Sequence, residues 1–277
     1  MPKQPQLTAL VTGATDGVGR VVAKQLAEAG VNVLAHGRDR ERGEGLVGEI
    51  RAAGGTAEFL RADLASLAKV RGLAAAVDEK TDRLNLLVNN AGIGTGGARD
   101  ERRTSADGFE LRFAVNYLAG FLLVRLLLPV IRRSAPARIV NVASAGQQAI
   151  DFSDVMLTRG YSGTRAYRQS KLAQILFTID LAEELHGSGV TVNALHPATY
   201  MNTTMVRQAG VEPWSRVEDG AEAILNLALS PALDGRSGLY FNQLSEAEAD
   251  DQAYDAAARR RLKEISLELT GLASADL

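Results

Sequence analysis

The chain has 277 residues, of which 46% are hydrophobic, 23% charged and 5% aromatic. That composition excludes a disordered chain and a bundle of membrane helices. With 31 basic and 33 acidic residues the net charge is −2, which offers no field for nucleic acid or an anionic membrane. There is no cysteine, so disulfides, thiol nucleophiles and Cys-held zinc are excluded together, and a reducing, cytoplasmic location is expected. Only 6 of the basic residues are lysine, a codon bias that points to a GC-rich bacterial genome. The three histidines, His36, His186 and His196, have no metal-ligand spacing, and no metal site is expected.

In chain order, short apolar runs alternate with helical patterns. The runs are Leu7–Val11, Val31–Ala35, Ala57–Leu60, Leu84–Val88, Arg138–Ala143 and Val190–Leu195, with a weaker one at Leu239–Phe241. Their nearly continuous apolar character predicts strands buried on both faces. Between and after them, helices are predicted over Val18–Ala29, Arg40–Ala53, Ser66–Lys80, Asp107–Arg132, Ala166–Glu184, Val217–Leu229 and Tyr254–Leu269. Repeated βα alternation predicts a single α/β domain over 1–277, a doubly wound parallel sheet of about seven strands with helices on both faces. The polar start Met1–Gln6 and the short run after it do not make a signal peptide. The most apolar stretch, Phe121–Ile131, is interrupted by Arg125 and Pro129 and is expected to fall short of the ~20 residues of a membrane span. Two segments at the carboxyl edge of the sheet break the alternation, 145–163 and 197–216. Their apolar residues (Ile150, Phe152, Val155, Met156 and Leu157; Tyr200, Met201, Met205, Val206 and Trp214) predict a lipophilic substrate pocket, or else a satellite of the core.

The first run enters Thr12-Gly13-Ala14-Thr15-Asp16-Gly17-Val18-Gly19 and then a helix. Such a glycine turn lets a pyrophosphate approach the backbone and the positive end of the helix dipole. After the second strand stand His36, Gly37 and Arg38. An acidic side chain there would accept from a ribose 2′-hydroxyl, whereas an arginine pairs with a 2′-phosphate. Arg38 therefore favours NADP, with NAD as the other possibility. Asp16 opposes that choice by placing a negative charge in the turn. His36 reads as a strand-end residue.

Tyr167 and Lys171 share one helix face at i, i+4. A nearby ammonium lowers the pKa of a phenol, so the pair can pass a proton to or from an alcohol or carbonyl oxygen. Tyr161 has only Arg165 at the same spacing. Ser144, at the end of the fifth strand, is placed to donate to a substrate oxygen or to cap the strand, and the fourth strand leads into Asn89-Asn90-Ala91-Gly92.

Together with Asp63-Leu64, Asn116 and His196-Pro197, these pieces resemble the short-chain dehydrogenase/reductase family over nearly the whole chain. Asp107-Gly108-Phe109-Glu110, Phe113–Phe121, Tyr161–Phe177 and Arg261–Leu272 make it most similar to the retinol-dehydrogenase-like branch. The resemblance implies a Rossmann-type fold and a homo-oligomer as one option. It implies that Tyr167 is the general acid/base and Ser144 the donor to the substrate oxygen. Lys171 would bind the nicotinamide ribose and lower the Tyr167 pKa, and Asn116 would hold a proton-relay water. Asp63 would contact the adenine, unless it is a helix N-cap. Gly13, Thr15, Asp16, Gly17, Val18, Gly19, Arg38, Leu64, Asn90, Ala91, Gly92, Pro197 and Thr199 fall on cofactor-binding positions. In two places the chain departs from the family. Ala198 stands where glycine usually follows the proline, and Asn202 holds the place of an expected threonine, with Thr203 next. Enzymes of that branch that act on retinoids often carry a membrane anchor, none is expected here, and retinol itself is not the expected substrate.

The expected function is reversible hydride transfer between NADP(H) and a carbonyl or alcohol on a lipophilic small molecule. A dinucleotide sensor without turnover would be expected to lack Tyr167 or Lys171. A carbon–carbon double-bond reductase of the protochlorophyllide type would need a cysteine as proton donor.

Overall fold

The computed structural model describes residues 6–96 and 101–273, so the polar N-terminal stretch lies, up to residue 5, outside the described residues. Each apolar run becomes a strand: β1 (Thr8–Val11), β2 (Asn32–Gly37), β3 (Ala57–Arg61), β4 (Leu86–Asn89), β5 (Ala137–Val142), β6 (Val190–His196) and β7 (Tyr240–Asn242). They pair in parallel in the order β3-β2-β1-β4-β5-β6-β7. An eighth strand, β8 (Ser245–Ala247), adds antiparallel to β7 and corrects the expected seven. Its residues are polar and largely exposed, so no apolar run announces it.

The helices are α1 (Gly17–Glu28), α2 (Arg40–Ala52), α3 (Leu67–Lys80), α4 (Ala119–Arg133), α5 (Gly163–Glu184), the short α6 (Thr204–Gln208), α7 (Val217–Leu229) and α8 (Ala256–Thr270). Helices α1, α2 and α7 bury their apolar stripes on one face of the sheet, and α3, α4, α5 and α8 on the other. The strand order reverses between β1 and β4, which opens a crevice at their carboxyl ends.

The helix expected over Asp107–Arg132 begins later. Gly108 takes φ +85° in a turn closed by a bridge between Thr104 and Glu110. Asp107 leaves that turn to accept from Leu67 N at 2.9 Å, which caps α3. Helical geometry then runs through a π-turn, Phe113–Leu118, into α4. Residues Phe113–Arg133 form one continuous 21-residue helix whose most apolar 18-residue window has mean hydropathy 1.9, long and apolar enough to cross a membrane by length and composition. This overturns the expectation that Arg125 and Pro129 cut the stretch short. Of its most apolar window, 78% is buried inside the protein.

Arg125 is accommodated because its charge is met where it is buried. Nη1 donates to both Glu184 oxygens at 2.6 and 2.8 Å, and the guanidinium lies 5.4 and 5.7 Å from the Phe121 and Phe177 ring centroids. Nε and Nη2 have no hydrogen-bond partner, and the aromatic contacts are what they have instead. Removing one partner of a buried pair typically costs about 3–5 kcal/mol. Glu184 is 20% exposed and keeps Lys263 at 3.1 Å, so the lower end applies. Arg125→Ala should therefore lose about 3 kcal/mol in urea unfolding with an unchanged m-value.

Candidate active site

The crevice is stitched at its floor by Thr12 and Asn90. Thr12 Oγ1 donates to Val88 O at 3.2 Å and accepts from Asn90 N and Ala91 N at 3.0 and 3.1 Å. Asn90 Nδ2 returns bonds to Thr12 O at 2.9 Å and Gly13 O at 3.2 Å. The turn after β1 and the loop after β4 are thereby locked together. Gly13 has φ +67°, and a Cβ there would stand 2.9 Å from Ala91 Cα; at Gly19 it would stand 2.3 Å from Asn90 Nδ2. Only glycine permits this closeness. Asp16 caps α1 by accepting from Gly17 N at 2.7 Å.

His36 completes the turn, a role that its reading as a strand-end residue missed. Its carbonyl accepts from Ala14 N at 2.8 Å, Nδ1 accepts from Gly13 N at 3.3 Å, and Nε2–H donates to Ala62 O at 3.2 Å. These partners select the neutral ring. Burial pushes its pKa down to about 4, against a weaker opposing effect of the Ala62 bond. The signal in the sequence was its place at the carboxyl end of β2, facing the glycine turn.

At the carboxyl end of β2 the geometry bears on Gly37 and Asp16. A Cβ at Gly37 would stand 2.3 Å from Thr15 Cγ2, so Thr15 occupies the space an acidic side chain would need. Asp16 is not an isolated charge, since its carboxylate lies 3.4 Å from Arg42 Nη1. Arg38 is exposed, with its carbonyl accepting from Arg61 Nε at 3.0 Å. The side chains of Val18 and Leu64 are buried in the core, which leaves their backbone for a ligand. Asp63 is not the cap of α3; it is exposed and accepts from Ala65 N at 3.0 Å in an Asx turn.

Across the crevice, Ser144 lies two residues beyond the end of β5 and Tyr167 in the first turns of α5, and their hydroxyls are hydrogen-bonded. Ser144 Oγ also accepts from Gly146 N at 3.0 Å. Lys171 is buried, with Nζ donating to Val142 O at 2.8 Å and Gln174 Oε1 at 3.0 Å, and it sits 5.8 Å from the Tyr167 ring centroid. Burial brings its pKa down to about 7. The Tyr167 phenol is raised, because burial outweighs the Ser144 bond. The expected lowering by Lys171 is thus absent in this state, with the ammonium turned toward the two carbonyls. Gly92 keeps the space beside the pair open: a Cβ there would stand 3.3 Å from Asn116 Oδ1 and 3.6 Å from Lys171 Nζ.

Asn116 lies in the π-turn and ties the β4 loop to α5. Its Oδ1 accepts from Ile93 N at 2.8 Å, and its Nδ2 donates to Ile93 O at 3.1 Å and Ser170 Oγ at 3.0 Å. Tyr161 is drawn elsewhere; it donates to Glu110 at 3.0 Å and accepts from Arg112, while Arg165 pairs with Asp151 at 2.9 Å.

The two irregular segments differ. In 145–163, Ile150 and Leu157 are buried and Phe152, Val155 and Met156 pack on the core, so this segment is the satellite core of the two readings. In 197–216, Tyr200, Met205 and Trp214 are exposed, Trp214 by 74%, and Tyr200 and Trp214 meet edge to face at 5.1 Å. Pro197 and Ala198 are buried, and Thr199 Oγ1 lies 3.0 Å from His196 Nε2. The segment folds over the crevice: Thr203 Cγ2 is 3.2 Å from where a Gly17 Cβ would be, and Met205 Cγ 3.0 Å from one at Gly94. Thr203, not Asn202, is therefore the residue facing the glycine turn.

Comparison with known proteins agrees with this geometry. The profile of the family described as short chain dehydrogenase matches residues 7–213. Human retinol dehydrogenase 13 is 38% identical over 97% of this chain and 86% of its own length. Mouse polyprenol dehydrogenase is 39% identical over 100% of this chain and 87% of its length. Among solved structures, the Pseudomonas aeruginosa RhlG/NADP active-site complex has a TM-score of 0.70 at 32% identity, over 85% of this chain and 94% of that one.

The neutral His36 has a pH consequence. Its folded pKa, about 4, lies below the 6.5 of a free imidazole, so the unfolded chain takes up a proton that the native one refuses. Stability is full above pH 6.5 and falls as the pH drops toward 4. His196, also pushed down to about 4 by burial, acts in the same direction. Urea unfolding across this range should show a smaller pH slope in His36→Asn than in the wild type.

Proposed function

The chain belongs to the short-chain dehydrogenase family and is an NAD(P)-dependent oxidoreductase, and from that premise we propose that it moves a hydride between NADP(H) and a carbonyl or alcohol carbon of a lipophilic small molecule. The observation that carries this reading is the meeting of Ser144, Tyr167 and Lys171 beside a glycine turn at the reversal of the strand order. The cradle fits a dinucleotide, since Gly13, Gly19 and Gly92 keep open or tightly apposed the backbone that a side chain would block. Thr15–Gly19, Asp63, Asn90–Gly92, Lys171 and Pro197–Thr199 would hold it, with Arg38 at its 2′-phosphate. Bound NADP(H) supplies the hydride chemistry.

In this proposal the chain's own residues handle the oxygen and the proton. The Ser144 hydroxyl orients the substrate oxygen, and the Tyr167 phenol gives it a proton in reduction or takes one in oxidation. The proton does not leave Tyr167 easily while the phenol is buried and its pKa raised. The Lys171 ammonium has to turn from Val142 and Gln174 toward the phenol to ease it. Burial brings its pKa down to about 7, so near neutrality the group carries its charge only part of the time. The exposed apolar side chains of 197–216 support a lipophilic substrate.

Tyr167→Phe keeps the ring and should lower turnover by about 10²–10⁴, while Tyr161→Phe should cost far less. Absorbance assays with a panel of ketones, aldehydes and alcohols measure both. Arg38→Ala should weaken NADPH roughly ten- to a hundredfold and leave NADH nearly unchanged, as expected for a charge-assisted contact of about 1.5–3 kcal/mol. Asp16→Ser should tighten NADPH, since it removes a negative charge and frees Arg42. Dissociation constants of both cofactors for the three proteins decide it; equal weakening of both by Arg38→Ala would leave that residue outside the cofactor site.

A further inference from the structure

Residues beyond 213 lie outside the stretch matched by the family profile, yet they reach the candidate site. After β8 the chain makes a single helical turn, Asp251–Tyr254, against α5. There the side-chain amide of Gln252 pairs with one backbone residue of the 145–163 segment in both directions. Oε1 accepts from Ile150 N at 2.6 Å and Nε2 donates to Ile150 O at 3.1 Å. A neighbouring strand would satisfy Ile150 in the same way.

The same loop is held at two further points. Gln147 Oε1 accepts from Asp250 N at 2.9 Å, and its side chain is hydrogen-bonded to the Tyr240 hydroxyl. Ala149 O accepts at 2.9 Å from Gln169 Nε2, two residues beyond Tyr167 on α5. The C-terminal turn is itself anchored, because Ala253 is fully buried and Arg259 donates to Ala253 O at 3.2 Å and to Glu183 at 2.8 Å. The pinned loop leads back through Gly146, whose N–H donates to Ser144 Oγ, to the Ser144–Tyr167 bond.

We propose that Gln252 is a positioning residue: its amide fixes the 147–150 loop and, through that loop, the place of Ser144. The proposal rests on the reading of Ser144 and Tyr167 given above. Displacing a reacting group by about 1 Å can cost up to about 10²-fold in rate. Gln252 acts through Ile150 and the five residues that separate it from Ser144, and a loss of about tenfold is expected for its removal.

The test compares the full-length wild type with Gln252→Met, which keeps the length and removes both hydrogen bonds, and with Asp251→Asn, an exposed neighbour, as control. Hydrogen exchange should speed up in 145–157 of Gln252→Met and stay unchanged in β5. The kcat for the carbonyl substrate should fall about tenfold, with KM less affected and the NADPH dissociation constant within about twofold of wild type. Should Gln252→Met not fold, Gln252→Asn, whose amide falls one methylene short, is read in the same way. Unchanged exchange in 145–157, or an equal loss in NADPH binding, overturns the proposal. A wild type that turns over no carbonyl or alcohol defeats the functional reading instead, and the exchange measurement still decides whether Gln252 holds the loop.

Discussion

One side-chain hydroxyl, Thr12 Oγ1, sits where the sheet changes direction, and the site depends on what it joins. It satisfies two N–H groups of the loop after β4 and one carbonyl of β4 itself. Without such a bridge the two βα turns at the reversal would diverge with the sheet's twist. With it, the glycine turn and the loop carrying Gly92 are held as one surface. Asn116 then binds that loop to α5, so the proposed cofactor cradle and the proposed catalytic tyrosine are positioned by a single buried polar network. Buried networks of this kind are fully satisfied or else costly, which makes them rigid.

Much of this was legible in the sequence, for physical reasons. The strands are buried on both faces and so read as short continuous apolar runs; β1 to β7 all lie within a few residues of the predicted ones. Tyr167 was separable from Tyr161 by the cation four residues on, and the structure gives Tyr161 to Glu110 and Arg112. What stayed hidden depends on contacts distant in the chain. Strand β8 is an edge strand with little to bury. The charge of Arg125 reads as an interruption until Glu184, 59 residues away, is seen to meet it. His36 looks like any strand-end residue until Gly13 and Ala62 come to its two nitrogens. The apolar residues of 145–163 and 197–216 look alike as text, yet the first set packs inward while Tyr200, Met205 and Trp214 of the second stay exposed.

Two buried cations on helices of the same face, Arg125 of α4 and Lys171 of α5, contrast in kind. Arg125 is neutralised by a carboxylate and cushioned by rings, and its pair can be treated as part of the core. The hydrogen-bond acceptors of Lys171 are a backbone carbonyl and a neutral amide. A carboxylate partner would fix its proton; neutral acceptors leave the charge responsive to whatever enters the crevice. The two cations thus differ in their acceptors, although both are almost fully buried.

The contact between Gly37 and Thr15 constrains how this protein could change over evolutionary time. A switch of cofactor preference by a single step, an acid at the end of β2, is obstructed here, because the incoming Cβ would stand 2.3 Å from Thr15 Cγ2 and 2.8 Å from Thr15 Oγ1. The route is ordered: Thr15 must shrink before an acid at Gly37 becomes tolerable. The two positions are epistatic, and their joint effect differs from the sum of the separate ones. A lineage that has kept Thr15 is barred by packing from an acid at Gly37, independently of any charge on Arg38.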